Sequence, residues 1–279
     1  MKYVYIIGSG HSGSTLLELL LSNSNRIFAM GEILHLGQVV DKKRLCSCGG
    51  RIADCPVWSS ILEPLDKTHI ELAGSIEFRR KRSKPENVNE FMELYPRFLE
   101  RIRQVTACHV CTDSSKSLHR LVLLSHVQDL DLRVLYLTRH VGGVLASQMR
   151  KGRRSRQYVI SWIVRNLTTL RYLKKSGLSW RHVQYEKLTE HPEDEMKEIL
   201  RFLSEPFDQN GWDDFSRTRH LVEGNRIRLR HADLTIRPPS DWAGSFSALE
   251  TLMYRAANSI IVTYASKLTG IHSESGLKP

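Results

Sequence analysis

Nowhere in the 279 residues is there an apolar run able to cross a bilayer. The longest, around Leu16 to Leu21, is broken by Glu18 and falls far short of the ~20 residues a helical span needs. Met1 to Gly8 lacks the full apolar segment and small-residue cleavage site of an export signal. Cysteine is scarce and odd in number, five in all, which disfavours a disulfide framework. Low-complexity tracts and repeats are missing too, and 41% hydrophobic content beside 25% charged residues excludes extended disorder. A soluble, cytoplasmic chain without a membrane anchor is expected, long enough for a large core.

Acid is absent from three short windows that hold most of the net charge of +11. Arg79 to Lys84 and Arg150 to Arg156 carry five basic residues each and Arg226 to Arg230 three, leaving 28 basic against 30 acidic residues elsewhere. The excess is local, so a nucleic-acid partner bound through a basic coat is disfavoured. Concave sites for a polyanion or solvated basic helix faces both fit this pattern.

Short β-rich apolar runs alternate with helical periodicity, the pattern of an α/β fold with a parallel sheet flanked by helices. Strands are predicted at Tyr3 to Ile7, Arg26 to Ala29, His109 to Thr112, Arg133 to Thr138 and His182 to Tyr185. Helices are predicted at Ser14 to Ser22, Ser117 to His126, Val141 to Arg150, Tyr158 to Lys175, Pro192 to Leu203 and Ala248 to Ser266. Periodicity fades between about Leu36 and Asn89, which reads as an insertion over the substrate side, and again over Glu205 to Ser240.

Between the first strand and the first helix lies Gly8-Ser9-Gly10-His11-Ser12-Gly13-Ser14-Thr15. Such a loop aims successive backbone N–H groups and a helix N-terminus at one point, the recipe for holding a phosphate. Its Gly8-x4-Gly13 spacing copies the P-loop, but Ser14 stands where the lysine would be, and the strand Val134 to Thr138 runs into Arg139 rather than a metal-holding Asp. Both substitutions speak against a P-loop kinase.

His11-Ser12-Gly13-Ser14-Thr15 resembles the 5′-phosphosulfate loop of sulfotransferases, with His11 where Lys or Arg is commoner. The stretch from Val134 through Arg139 to Ser147 resembles the family's 3′-phosphate motif. Val183 to Leu188, His220 to Arg226 and Asp241-Trp242 follow in family order, and only about 36 to 105 lacks a match. The resemblance implies a single domain over 1–279 with a P-loop NTPase-like fold, a substrate-side insertion at about 36–105 and a donor-covering loop at about 205–240. It implies 3′-phosphoadenosine 5′-phosphosulfate as donor co-substrate, with no metal. His11, Ser12, Gly13, Ser14 and Thr15 would hold the 5′-phosphosulfate, Arg139 and Ser147 the 3′-phosphate, Tyr185 would lie near the adenosine, and Asn225 and Arg226 would close over it. In Gly31-Glu32, Glu32 would be the base that deprotonates an acceptor hydroxyl, with His35 and His11 as rivals. Lys116, in Asp113-Ser114-Ser115-Lys116, would steady the charge that develops between donor and acceptor, with His11 assisting. The acceptor is open among sugar, lipid, phenol and peptidyl tyrosine, and an acidic one is expected if Arg79 to Lys84 lines its cleft. A non-catalytic polyanion-binding module is the alternative outside enzymology.

Two cysteine groups invite a zinc reading. Cys108 and Cys111 sit largely in a strand, where positions i and i+3 face opposite sides. Cys46, Cys48 and Cys55 supply three thiols and no evident fourth ligand, short of a structural site's four. Local packing or a redox-sensitive lid is the expectation for them.

Overall fold

In a computed structural model, described over residues 1–65, 70, 85–149, 157–230, 234–236 and 242–275, five strands form one parallel sheet. They are β1 (Lys2–Gly8), β2 (Ile27–Ala29), β3 (Val110–Asp113), β4 (Asp131–Thr138) and β5 (Ser179–Gln184), in the order β2-β3-β1-β4-β5. Every pairing is parallel, with Tyr5 opposite Asp113 on β3 and Gly8 opposite Leu137 on β4. Burial on both faces explains why β1 reads as unbroken apolar sequence. Its side chains alternate between two cores: Tyr3, Tyr5 and Ile7 join one, and Val4 and Ile6 the other.

The helices are α1 (Ser14–Leu21), α2 (Leu36–Asp41), α3 (Pro56–Leu62), α4 (Pro85–Thr106), α5 (Leu118–Leu124), α6 (Val141–Met149), α7 (Gln157–Ser176), α8 (Tyr185–Glu190), α9 (Pro192–Leu203) and α10 (Ala248–Ser275). The face of Val4 and Ile6 is covered by Leu16, Leu17 and Leu20 of α1 and Met196, Ile199 and Leu200 of α9. As the sequence signals, α9 starts with Pro192 in its first turn, followed by Glu193, Asp194 and Glu195.

Two expectations are corrected. Tyr185 does not end the last strand but opens α8. The stretch read as an insertion contains a 22-residue helix, α4, whose Phe91, Tyr95, Phe98 and Ile102 are buried at helical spacing under the other face of the sheet. Pro96 stands inside this helix, where a proline speaks against helix in a sequence. Among the described residues no helix is long and apolar enough to cross a membrane.

Connections from β1 and β4, neighbours in the sheet, lead to opposite sides, β1 to β2 and β4 to β5. The crevice outside their carboxyl ends is a topological switch point, where open α/β sheets bind ligands.

Candidate functional site

At that crevice the loop from β1 into α1 takes left-handed backbone at His11 (φ 65°) and Gly13 (φ 97°). Glycine is required at 13, because a Cβ there would lie 2.3 Å from the Tyr185 ring. The hydroxyls of Ser9 and Ser12 are buried without a hydrogen-bond partner among the described residues. Buried polar groups are seldom left so, and these two fit an anion seated in the loop. Directly after β4, the Arg139 guanidinium lies 4.1 Å over the Tyr185 ring and donates to the His11 carbonyl oxygen at 3.2 Å. Tyr185 thus wedges between Gly13 and Arg139 and aligns both.

Gly143 of α6 packs on Arg139, an added Cβ lying 3.3 Å from Nε. Ser147, half-buried four residues on, therefore shares the helix face that meets Arg139. The Asn225 backbone N–H donates to Thr15 Oγ1 at 3.0 Å, while the Asn225 side chain accepts from Ile227 N at 3.1 Å. Arg226 is exposed. Arg228 is buried and donates to the Leu45 carbonyl at 2.9 Å, so the basic window at 226 to 230 does not serve a ligand as a whole. Arg79 to Lys84, Arg150 to Arg156 and Asp241 lie outside the described residues.

Lys116 joins this loop to the candidate base. Its ammonium donates to Glu32 Oε1 at 2.8 Å, to Ser14 Oγ at 3.0 Å and to the Ser114 carbonyl at 2.9 Å. His35 Nε2 stands 3.6 Å from the other Glu32 oxygen. The Lys116 backbone is left-handed, φ 58°, a strained choice for a non-glycine residue that clusters at functional sites. What enforces it is a fully buried network below. Asp113 accepts from Tyr3 Oη at 2.7 Å, Arg120 Nε at 2.8 Å, the Ser115 backbone N at 2.8 Å and the Ser115 hydroxyl. Tyr5 Oη accepts from Ser117 N at 2.8 Å.

Glu18, the residue that broke the apolar run in α1, does a similar task under Glu32. Its carboxylate accepts from the Gly31 N–H at 3.1 Å, Thr112 Oγ1 at 3.0 Å and Ser114 Oγ at 2.7 Å. Burial pushes its pKa up to about 7, against the pull of the Ser114 and Thr112 hydroxyls. Sequence reasoning passed over Glu18, although an acid on an otherwise leucine-rich helix was the signal.

Beside these groups opens a cavity of about 530 Å³, bounded by Gly8, Gly10, Glu32, His35, Ser115, Lys116, His119, Arg165 and Thr169 among others. Glu32 and Lys116 are in its wall; His11 is not. His119 and Arg165 were missed in the sequence. Arg165 and Thr169 lie one turn apart on α7, on the face that also carries the buried Trp162.

Elsewhere, the three thiols of Cys46, Cys48 and Cys55 meet His220, and all four ligand atoms lie within 4.8 Å of one another. His220 thus stands where a fourth ligand would, a neighbour that the sequence does not make evident. Cys108 and Cys111 turn to separate partners, the Met1 sulfur and the Lys2 carbonyl.

A family model described as "Sulfotransferase family" matches residues 4–209. No curated protein matches the chain. Among solved structures it is similar to the sulfotransferase domain of the olefin synthase of Synechococcus PCC 7002, with a TM-score of 0.58 and 19% identity over 93% of this chain and 94% of that one. It is also similar to the sulfotransferase domain from the curacin biosynthetic pathway, with a TM-score of 0.53 and 20% identity over 96% of this chain and 97% of that one. Both likenesses concern the fold.

Proposed function

The chain belongs to the sulfotransferase family, and from that premise we propose that it moves a sulfuryl group from 3′-phosphoadenosine 5′-phosphosulfate to an acceptor hydroxyl. The observation that carries this reading is the Glu32–Lys116–Ser14 chain of contacts, which joins a carboxylate in a cavity wall to an anion-type loop. His11 to Thr15 would hold the phosphosulfate, consistent with the unsatisfied Ser9 and Ser12 hydroxyls. Arg139, with its planar fork of donors, and Ser147 would hold the 3′-phosphate. Bound there, the donor supplies an activated sulfuryl group on a phosphate oxygen that leaves with the bonding pair. Glu32 accepts the acceptor's proton as the acceptor oxygen bonds to sulfur. Lys116, already within reach of Ser14, offers its ammonium to the negative charge gathering on the leaving side. Tyr185 keeps Arg139 in place, and Asn225 holds the covering loop to Thr15.

The cavity favours a hydroxyl acceptor that bears negative charge, because Lys116 and Arg165 in its wall outnumber the carboxylate of Glu32. No observation favours a kinase, given Ser14 and Arg139 where lysine and aspartate would be needed.

Calorimetry with 3′-phosphoadenosine 5′-phosphate tests the donor site. Arg139→Ala should lose about 1.5–3 kcal/mol of charge-assisted hydrogen bonding, a tenfold to hundredfold weaker affinity; unchanged affinity would sink the assignment. Glu32→Gln should cut turnover by roughly 10²–10⁴ while leaving that affinity intact. Near-normal turnover would move the base to His35, and donor binding without transfer to any acceptor would favour a silent binding module.

A further inference from the structure

We propose that Cys46, Cys48, Cys55 and His220 hold one zinc ion, which staples the loop over the donor site to the cysteine-bearing lobe. His220 Nδ1 is 3.2 Å from Cys55 Sγ and 3.9 Å from Cys46 Sγ, with no pair of ligand atoms more than 4.8 Å apart. A tetrahedral ion with Zn–S of about 2.3 Å and Zn–N of about 2.0 Å sets ligand–ligand edges of about 3.5–3.8 Å. The four atoms therefore need to shift by less than about 1 Å to close on an ion.

Their backbone is arranged for the task. Cys46 and Cys48 stand on a tight turn in which Gly49 N donates to the Cys46 carbonyl at 3.0 Å and Cys46 N to the Gly50 carbonyl at 2.8 Å. Gly49 supplies the left-handed φ of 94°. Cys55 comes from the start of α3, and Cys46 and Cys55 are wholly buried. His220 arrives on the other chain segment held at both flanks. Ser47 Oγ donates to the Arg219 carbonyl at 2.6 Å and accepts from Leu221 N at 2.8 Å, while Trp58 Nε1 donates to the His220 carbonyl at 2.5 Å. Fixing a ligand through such outer partners is how proteins build metal centres.

Three thiols and an imidazole in tetrahedral reach are a soft donor set that suits zinc. A disulfide would use two sulfurs and leave the third thiol and the imidazole unexplained. Because all four positions are filled by protein, the ion has no open site for water or substrate, and its role is structural. That role reaches the active centre through the loop after His220. Val222 N donates to the Met30 carbonyl at 2.8 Å, Glu32 N to the Glu223 carbonyl at 3.4 Å, and Asn225 N to Thr15 at 3.0 Å. The ion thus fixes one end of a strap lying against Glu32 and the 8–15 loop. The link to donor affinity rests on the donor reading above; the metal site does not.

Metal content decides the site. The full chain purified from zinc-supplemented cells without chelator should carry about one zinc per chain. After exchange with Co(II), it should show the intense visible bands of tetrahedral cobalt and a thiolate charge-transfer band. His220→Ala should weaken cobalt binding more than roughly 100-fold, beyond the 10–100-fold typical of losing an outer partner, whereas Cys108→Ser should bind as the parent does. Should His220→Ala fail to fold, the cobalt spectrum of the unaltered protein still decides. Absence of zinc together with absence of tetrahedral cobalt bands in the reduced protein overturns the proposal. So does a Cys46–Cys55 disulfide in protein isolated under alkylating conditions, which would make the lobe a redox lid. Chelation should lower the melting temperature and weaken 3′-phosphoadenosine 5′-phosphate binding; an unchanged melting temperature overturns the staple. Failure of the zinc-loaded protein to bind that nucleotide bears on the donor reading alone.

Discussion

The carboxyl edge of the sheet and the cysteine lobe flank the same Glu32, and they are built in opposite ways. At the sheet edge, His11, Lys116 and Arg139 follow within three residues of the ends of β1, β3 and β4, parallel strands that lie side by side in the sheet. In the lobe, nothing is aligned by a sheet. Its short helix α3 and its turns are tied down by side chains and by a strap more than 160 residues away in sequence, as in the Cys55–His220 contact with a separation of 165. A strand-end site tolerates loss of individual contacts because hydrogen-bonded neighbours hold it; a cross-linked lobe depends on its few links. Changes at the edge should therefore register in ligand binding, and changes in the lobe in local stability.

The largest expected effect lies where the two regions meet, at Glu18. Its pKa is raised in the folded protein to about 7 from an ordinary 4.5, so its contribution favours folding most below pH 4.5 and is lost as pH rises through about 7. Up to ~3 kcal/mol of stability should disappear over that range. Glu18→Gln should flatten the profile: urea unfolding at pH 4.5 and 7.5 should show a smaller decline than in the parent. Parallel profiles would mean that Glu18 is not protonated in the fold. Next is Gly13→Ala at the edge. Left-handed backbone costs a residue with a Cβ about 1–2 kcal/mol, and the methyl must also displace Tyr185 from beneath Arg139. Nucleotide affinity should fall roughly tenfold or more by calorimetry, with a modest loss in thermal stability; a pure stability loss would break the contrast. Smallest is Trp58→Phe in the lobe, which removes the donor to the His220 carbonyl and should cost about 1 kcal/mol. Proteolysis at the 219–228 strap should accelerate while Arg139-dependent binding in the surviving chain stays unchanged.

Much of the sheet edge was legible. The glycine loop, Arg139 after its strand, and the Gly31-Glu32 and Asp113 to Lys116 stretches are each recognisable within a few residues, and five strands followed from apolar runs and their spacing. Boundaries slipped where a rule is only statistical: Tyr185 favours strands by type, yet stands first in α8, and α4 runs through Pro96. Glu18 was visible but read only as an interruption. His119 and Arg165 carried no local signal, since nothing near them in sequence says that α5 and α7 share a cavity wall.

By itself, then, the sequence determined the parallel α/β architecture, the glycine-rich loop between β1 and α1 and the family, because periodicity and short motifs are encoded between near neighbours. Only the tertiary structure decided that Lys116 bridges Glu32 to Ser14, that Arg228 turns inward while Arg226 faces solvent, and that three neighbouring thiols meet the distant His220. Those facts depend on contacts between distant segments, whose pairing is fixed by how the whole chain buries its apolar faces rather than by any one stretch of it.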